Sequence, residues 1–111
     1  MQQLKKGVLE LLVLESICKG PTYGYALLTE LKANTSGFFT LKEGTLYPIL
    51  YRLEDEGLIR SDWSAPEGRV APKKIYTATQ LGHTAQKQRR EIWLNFTATV
   101  DTYLQKGSDN T

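Results

Sequence analysis

Three segments with helical apolar spacing, then two β-like stretches about one turn, then one long helical segment: this order constrains the chain more than any other feature. In residues 4–19, Val8, Leu11, Leu12, Glu15 and Cys18 fall at three-and-four spacing, and Leu9, Val13, Leu14 and Ile17 widen the stripe. The pattern predicts a well-buried helix, stopped by Gly20-Pro21. A second helix is expected to start at Thr22, a good N-cap, and to run through Tyr25, Leu28 and Leu31 as far as Asn34. A third is expected over 43–56, with Leu46, Ile49, Leu50 and Leu53 as its buried stripe and Gly57 as its exit. Its opposite face carries Gly44, Thr45, Pro48, Tyr51, Arg52 and Asp55. With almost no aliphatic groups, that face must meet water or a polar partner.

Residues 58–63 and 73–79 flank Ala65-Pro66-Glu67-Gly68, which is turn chemistry, and so predict a hairpin. After the candidate N-cap Thr79, the residues Leu81, Ala85, Ile92, Trp93, Phe96, Val100, Tyr103 and Leu104 keep helical spacing up to Gln105. At roughly 1.5 Å per residue this is a rod about 38 Å long. Three helices and a hairpin in this order form the winged elaboration of the helix-turn-helix. The expected fold class is therefore mainly α with a small β-hairpin. It divides into a winged helix-turn-helix DNA-binding domain over 1–79, a C-terminal dimerisation helix over 80–105 and a disordered tail over 106–111.

At 111 residues the chain fits one domain with a modest core, so a second copy covering apolar surface would matter for stability. The net charge of +2 permits a nucleic-acid partner without demanding one. The single cysteine, Cys18, rules out an intrachain disulfide and argues against a cysteine zinc site. Within an apolar run it reads as a small buried hydrophobe rather than a redox sensor. The N-terminus is polar and basic, and the apolar run behind it is broken by Glu10 and Glu15. This is neither a signal peptide nor a membrane span, and a cytoplasmic protein is expected.

Catalysis finds no purchase. His83 is the sole histidine, no phosphate-cradling loop or nucleophile elbow is present, and Glu54, Asp55 and Glu56 point in different directions from one helix. No cofactor is implied. Features suited to DNA do coincide. Gly44 and Thr45 are small residues at a helix start, where backbone can approach bases or phosphates and free N–H groups attract anions. Lys42, Tyr47 and Arg52 share that helix, Tyr23 and Tyr25 open the preceding one, and Arg69, Lys73 and Lys74 make the hairpin basic. Pro48 removes a helical hydrogen bond, and Gly44, four residues earlier, owns the orphaned carbonyl.

The run Gly44-Thr45-Leu46-Tyr47-Pro48-Ile49-Leu50-Tyr51-Arg52-Leu53-Glu54, followed by Gly57-Leu58-Ile59, resembles the PadR family signature. Tyr23-Gly24-Tyr25, Gly68-Arg69, Lys73-Lys74-Ile75-Tyr76, Thr79 and Gly82 are similar in order and spacing, and the match spans residues 4–105. The resemblance implies a repressor, released from its operator by a small effector. Two departures stand out. Lys42 occupies a position where the family often has a capping residue, a loss of about 1 kcal/mol unless Thr40 or Glu43 compensates. Thr77-Ala78-Thr79 replaces the commoner apolar residue before that threonine.

Ile92, Trp93, Phe96, Val100 and Tyr103 are too many large apolar groups for a lone surface helix, so a homodimer is expected to bury them. A two-fold protein suits a pseudo-palindromic double-stranded operator, with recognition helices roughly 34 Å apart. The spacing of Trp93 from Gly82-His83 is similar to that of a tryptophan in multidrug-binding family members. That resemblance implies that Trp93 and Phe96 contact planar aromatic or cationic small molecules. The rival expectation is a winged helix serving only as a protein-interaction module, without salt-dependent duplex binding.

Overall fold

The computed structural model describes residues 2–109, with side chains described over 7–106. The order is α1 (Gln2–Cys18), α2 (Gly24–Asn34), α3 (Glu43–Asp55), β1 (Ile59–Trp63), β2 (Lys74–Ala78) and α4 (Gln80–Asp109). The fold is mainly helical with one antiparallel two-stranded sheet, as expected. The molecule is elongated, 66 × 29 × 21 Å, because α4 projects as a rod beyond the packed helices and wing.

The core lies where the first three helices and the sheet converge. Leu9, Val13, Leu14 and Ile17 of α1 meet Leu27 and Leu31 of α2, Leu46, Ile49, Leu50 and Leu53 of α3, and Ile59 and Tyr76 of the sheet. The α3 stripe is the one its spacing predicts. On α1 the buried face is turned from the expected one: Leu11, Leu12 and Cys18 are only half-buried. The flank bearing Leu11 faces α4, whose buried Gln86 donates from Nε2 to the Leu11 carbonyl at 3.1 Å. On α2, Tyr25 is 74% exposed, and the buried positions are Gly24, Leu27 and Leu31.

Thr22 does not cap α2. The helix begins at Gly24 with Tyr23 as N-cap, and Thr22 exchanges backbone hydrogen bonds with Tyr76 (3.1 and 2.8 Å). This bridge fastens the α2 entry to the edge of the sheet, where Thr22 satisfies backbone groups of the wing. Gly57 takes φ +77° after α3, and the Leu58 N–H reaches the Leu53 carbonyl at 2.9 Å, a helix stop that favours glycine. Thr79 caps α4 as its sequence suggests: its Oγ1 accepts from the Gly82 N–H (3.0 Å) and donates to the Gly57 carbonyl (2.6 Å). α4 runs past the expected end at Gln105 to Asp109, so the stretch expected as a disordered tail is helical up to that residue. Asn110 and Thr111 lie outside the described residues.

Candidate nucleic-acid interface

The front of α3 is bare. Lys42 is its N-cap in extended conformation (φ −99°, ψ 160°), and its side chain caps nothing. Neither proposed compensator replaces the cap: the Thr40 hydroxyl donates to the Gly37 carbonyl at 2.7 Å, and Glu43 makes no capping bond. Lys42, Gly44 and Thr45 are all exposed. A Cβ placed on Gly44 would meet nothing within 4 Å, so no internal packing demands glycine there. α3 remains continuous through the exposed Pro48.

Two residues expected at this surface have internal partners instead. Arg52 donates from Nε (2.8 Å) and Nη2 (2.5 Å) to Glu10 Oε1, joining α3 to α1. At about 3.6 residues per turn, Arg52 falls on the side of α3 turned towards α1, where its guanidinium meets a carboxylate. Tyr47 is half-buried against the core, with its hydroxyl 2.7 Å from where a Gly24 Cβ would stand. The glycine of Tyr23-Gly24-Tyr25 thus makes room for Tyr47, which fixes α2 against α3.

The wing lies beside these helices. β1 and β2 pair from Ile59↔Ala78 to Trp63↔Lys74. The Ser61 hydroxyl donates to Glu54 Oε2 at 2.5 Å, tying the sheet to α3. Lys73 Nζ stands 4.3 Å from the Tyr23 ring centroid and Lys74 Nζ 5.8 Å from that of Tyr76, so aromatic faces hold both cations without neutralising them. Arg69 is exposed, as is Arg60, a wing cation that the sequence reading passed over. Tyr76 is fully buried, and its hydroxyl has no partner among the described residues. Burial first, then the charges of Tyr47, Glu54 and Tyr51, push its pKa up to about 12.

Away from the wing, α4 carries Ile92 (69% exposed), Phe96, Val100 and Tyr103 (78% exposed), while Trp93 is half-buried. Trp93 and Phe96, their ring centroids 6.0 Å apart, line an open groove of about 410 Å³ between α1 and α4, together with Gly7, Glu10, Leu11, Arg89 and Ile92. Among the described residues, both charged groups of this groove are tied to the end of α3. Glu10 holds Arg52, and Arg89 Nη2 stands 3.4 Å from Oε2 of Glu56, the α3 C-cap. No spacing rule links these four residues, and the sequence reading missed the pairs. Further along, Arg90 donates to both oxygens of Glu15 (2.5 and 2.6 Å), which holds that carboxyl below its ordinary range. Burial pushes the neighbouring Cys18 thiol up. Among the described residues no cluster of ligating side chains could hold a metal, and no helix is long and apolar enough to cross a membrane.

Three helices, a basic two-stranded wing and an exposed polar helix start define a winged-helix regulator. The model of the PadR-like family of transcriptional regulators matches residues 13–88, and the chain belongs to that family. It is 30% identical over 90 residues to a transcriptional regulator of Mycobacterium tuberculosis, covering 81% of this chain and 79% of that protein. It is 33% identical over 87 residues to the negative transcriptional regulator PadR of Bacillus subtilis, covering 78% of this chain but only 45% of that longer protein. A PadR-like regulator from Bacillus cereus has a similar structure, with TM-score 0.80 and 34% identity over 93% of this chain and 97% of its own. The chain is a regulator of transcription and not an enzyme.

Proposed function

We propose that this regulator is a cytoplasmic homodimeric repressor that binds a pseudo-palindromic duplex operator and leaves it when a planar aromatic effector occupies the groove beside Trp93. The observation that carries the DNA reading is the bare front of α3: Lys42, Gly44 and Thr45 are exposed beside a basic wing, and no internal contact explains the glycine. Lys42 and Thr45 lead into the major groove, with Gly44 allowing close approach. Tyr23, Tyr25 and the wing cations Arg69, Lys73 and Lys74 line the backbone on either side. Arg52 and Tyr47 act behind this surface by holding α3 in place.

Residues 80–105 join two copies in this reading, since Ile92, Phe96, Val100 and Tyr103 expose on one chain what a partner would bury. The effector reading is supported by the groove itself, where Trp93 and Phe96 offer ring faces and Glu10 a carboxylate. A cation drawn to Glu10 competes with Arg52 for the same oxygen, which loosens α3 and weakens the operator complex. In this way ligand and DNA oppose one another through a shared ion pair.

Selection from a random duplex pool tests the DNA reading. The expected product is a two-fold-related pair of half-sites one helical turn apart, with an affinity that falls linearly against the logarithm of salt. Absence of any duplex binding at low salt overturns the reading. For the effector, Trp93 emission in a Trp63→Phe chain is titrated with a planar cationic dye in the absence of DNA. Quenching is expected, and unchanged emission at saturating dye removes the effector from the account.

A further inference from the structure

The geometry points to Trp63 as a contact with the sugar-phosphate backbone of duplex DNA, gripping the strand that passes between α3 and the wing. This inference rests on the DNA-binding reading above. Trp63 ends β1 directly opposite Lys74. Side chains alternate along a strand, so Ile59, Ser61 and Trp63 leave from one face, the face that Ser61 bonds to Glu54 of α3. Burial runs out along that face: Ile59 is buried, Ser61 half-buried and Trp63 70% exposed. The largest side chain of that face is thus left in solvent. No ring or cation partner engages it among the described residues.

Charge decides what covers this indole. Lys74 stands across the ladder, Lys73 lies over Tyr23 and Arg69 is exposed on the same hairpin, while Arg60 leaves from the face of β1 opposite Trp63. The hairpin acids are Asp62, which leaves from the opposite face of β1, and Glu67 in the turn. An apolar ring framed by cations suits a polymer that alternates apolar sugars with anionic phosphates. The indole Nε1–H is a donor only, which fits a phosphate oxygen, and the ring face fits a deoxyribose. With α3 in the major groove, the backbone that walls this groove passes between α3 and the wing. A side chain on the α3-facing side of β1 therefore meets sugar and phosphate rather than base edges, and its contribution is independent of sequence.

The test uses the full chain with Trp93→Phe, which leaves Trp63 as the sole tryptophan, and a short mixed-sequence duplex at low salt, with the duplex affinity of this background measured alongside. Trp63 emission is expected to fall as duplex is added. Trp63→Ala is expected to weaken duplex binding roughly tenfold, while the slope of log affinity against log salt stays at the wild-type value, because no charge is removed. Arg69→Ala is expected to lower that slope. Far-UV circular dichroism confirms that each variant is folded. Duplex binding with unchanged Trp63 emission and an unweakened Trp63→Ala chain overturns the assignment and leaves the DNA reading standing. Emission that shifts with protein concentration in the absence of DNA assigns the indole to a second copy of the chain and overturns it too. If the wild-type chain binds no duplex, both readings fall together.

Discussion

Replacing Gly82 by alanine should destabilise this protein, although alanine is the best helix former and Gly82 lies near the start of a long helix. Glycine to alanine within a helix is worth about 1 kcal/mol in favour of alanine. Against this, a Cβ on Gly82 would stand 1.9 Å from the Leu58 carbonyl oxygen and 2.9 Å from its carbon, both rigid backbone atoms. Relieving the clash moves the start of α4 away from the Leu58 backbone by roughly 1 Å, and overpacking of this kind costs about 1–3 kcal/mol. The same displacement stretches three bonds that meet here: Gly82 N–H to Thr79 Oγ1 (3.0 Å), Thr79 Oγ1 to the Gly57 carbonyl (2.6 Å) and Thr79 N–H to the Leu58 carbonyl (3.0 Å). Losing the cap alone costs about 1 kcal/mol. The net expectation is a loss of about 1–3 kcal/mol, which lowers the melting temperature by roughly 5–15 °C. Urea unfolding followed by far-UV circular dichroism at fixed protein concentration measures it, the concentration being held because self-association would add to apparent stability. A Gly82→Ala chain more stable than wild type would refute the close approach of α4 to the Leu58 backbone.

Other changes separate folding from function. Gly44→Ala, with open space around the new methyl, should raise stability by about 0.5–1 kcal/mol in urea unfolding yet weaken duplex binding in an anisotropy titration; unimpaired binding would show that DNA never comes close there. Replacing Arg69 and Lys73 together should weaken binding to all duplexes and flatten its salt dependence, and an unaltered slope would take the wing out of the interface. The Arg90 guanidinium bonded to Glu15 holds that carboxyl below its ordinary value of 4.5. The folded carboxyl then titrates below the unfolded one, so this stabilisation is present above the unfolded value and is lost as pH falls through the folded one. Glu15→Gln should therefore flatten the acid limb of the stability profile, and an equally steep limb would deny the pair a role. Burial raises the Cys18 thiol, so a disulfide reagent at neutral pH should modify it far more slowly in the folded than in the urea-unfolded chain; equal rates would contradict its packing.

What could be read in the sequence is what depends on local chemistry. The α3 stripe, its exit at Gly57 and the Thr79 cap of α4 each follow from spacing or from a residue satisfying backbone groups within a few positions. Thr22 looked like a cap by the same rule, and failed because Tyr76, distant in sequence, supplies its partners. The exposure of Lys42, Gly44, Thr45, Tyr25 and Arg69 was legible because an exposed residue answers to its own element alone. The internal partners of Arg52 and Tyr47 were not legible, since each is supplied by another helix: Glu10 for Arg52, and for Tyr47 the gap that Gly24 leaves. The Arg89–Glu56 pair and the exposure of Trp63 belong to the same class, for they appear only when the fold brings separate segments together.

The proposed reading puts two chains on one duplex, with the apolar stripe exposed on α4 joining them and the bare front of α3 turned to each half-site. Sedimentation equilibrium of the complex with a selected operator duplex weighs this directly. The mass expected is that of two chains and one duplex, from a protein already dimeric when free. A single chain bound to the duplex, with the free protein monomeric at micromolar concentration, would contradict it.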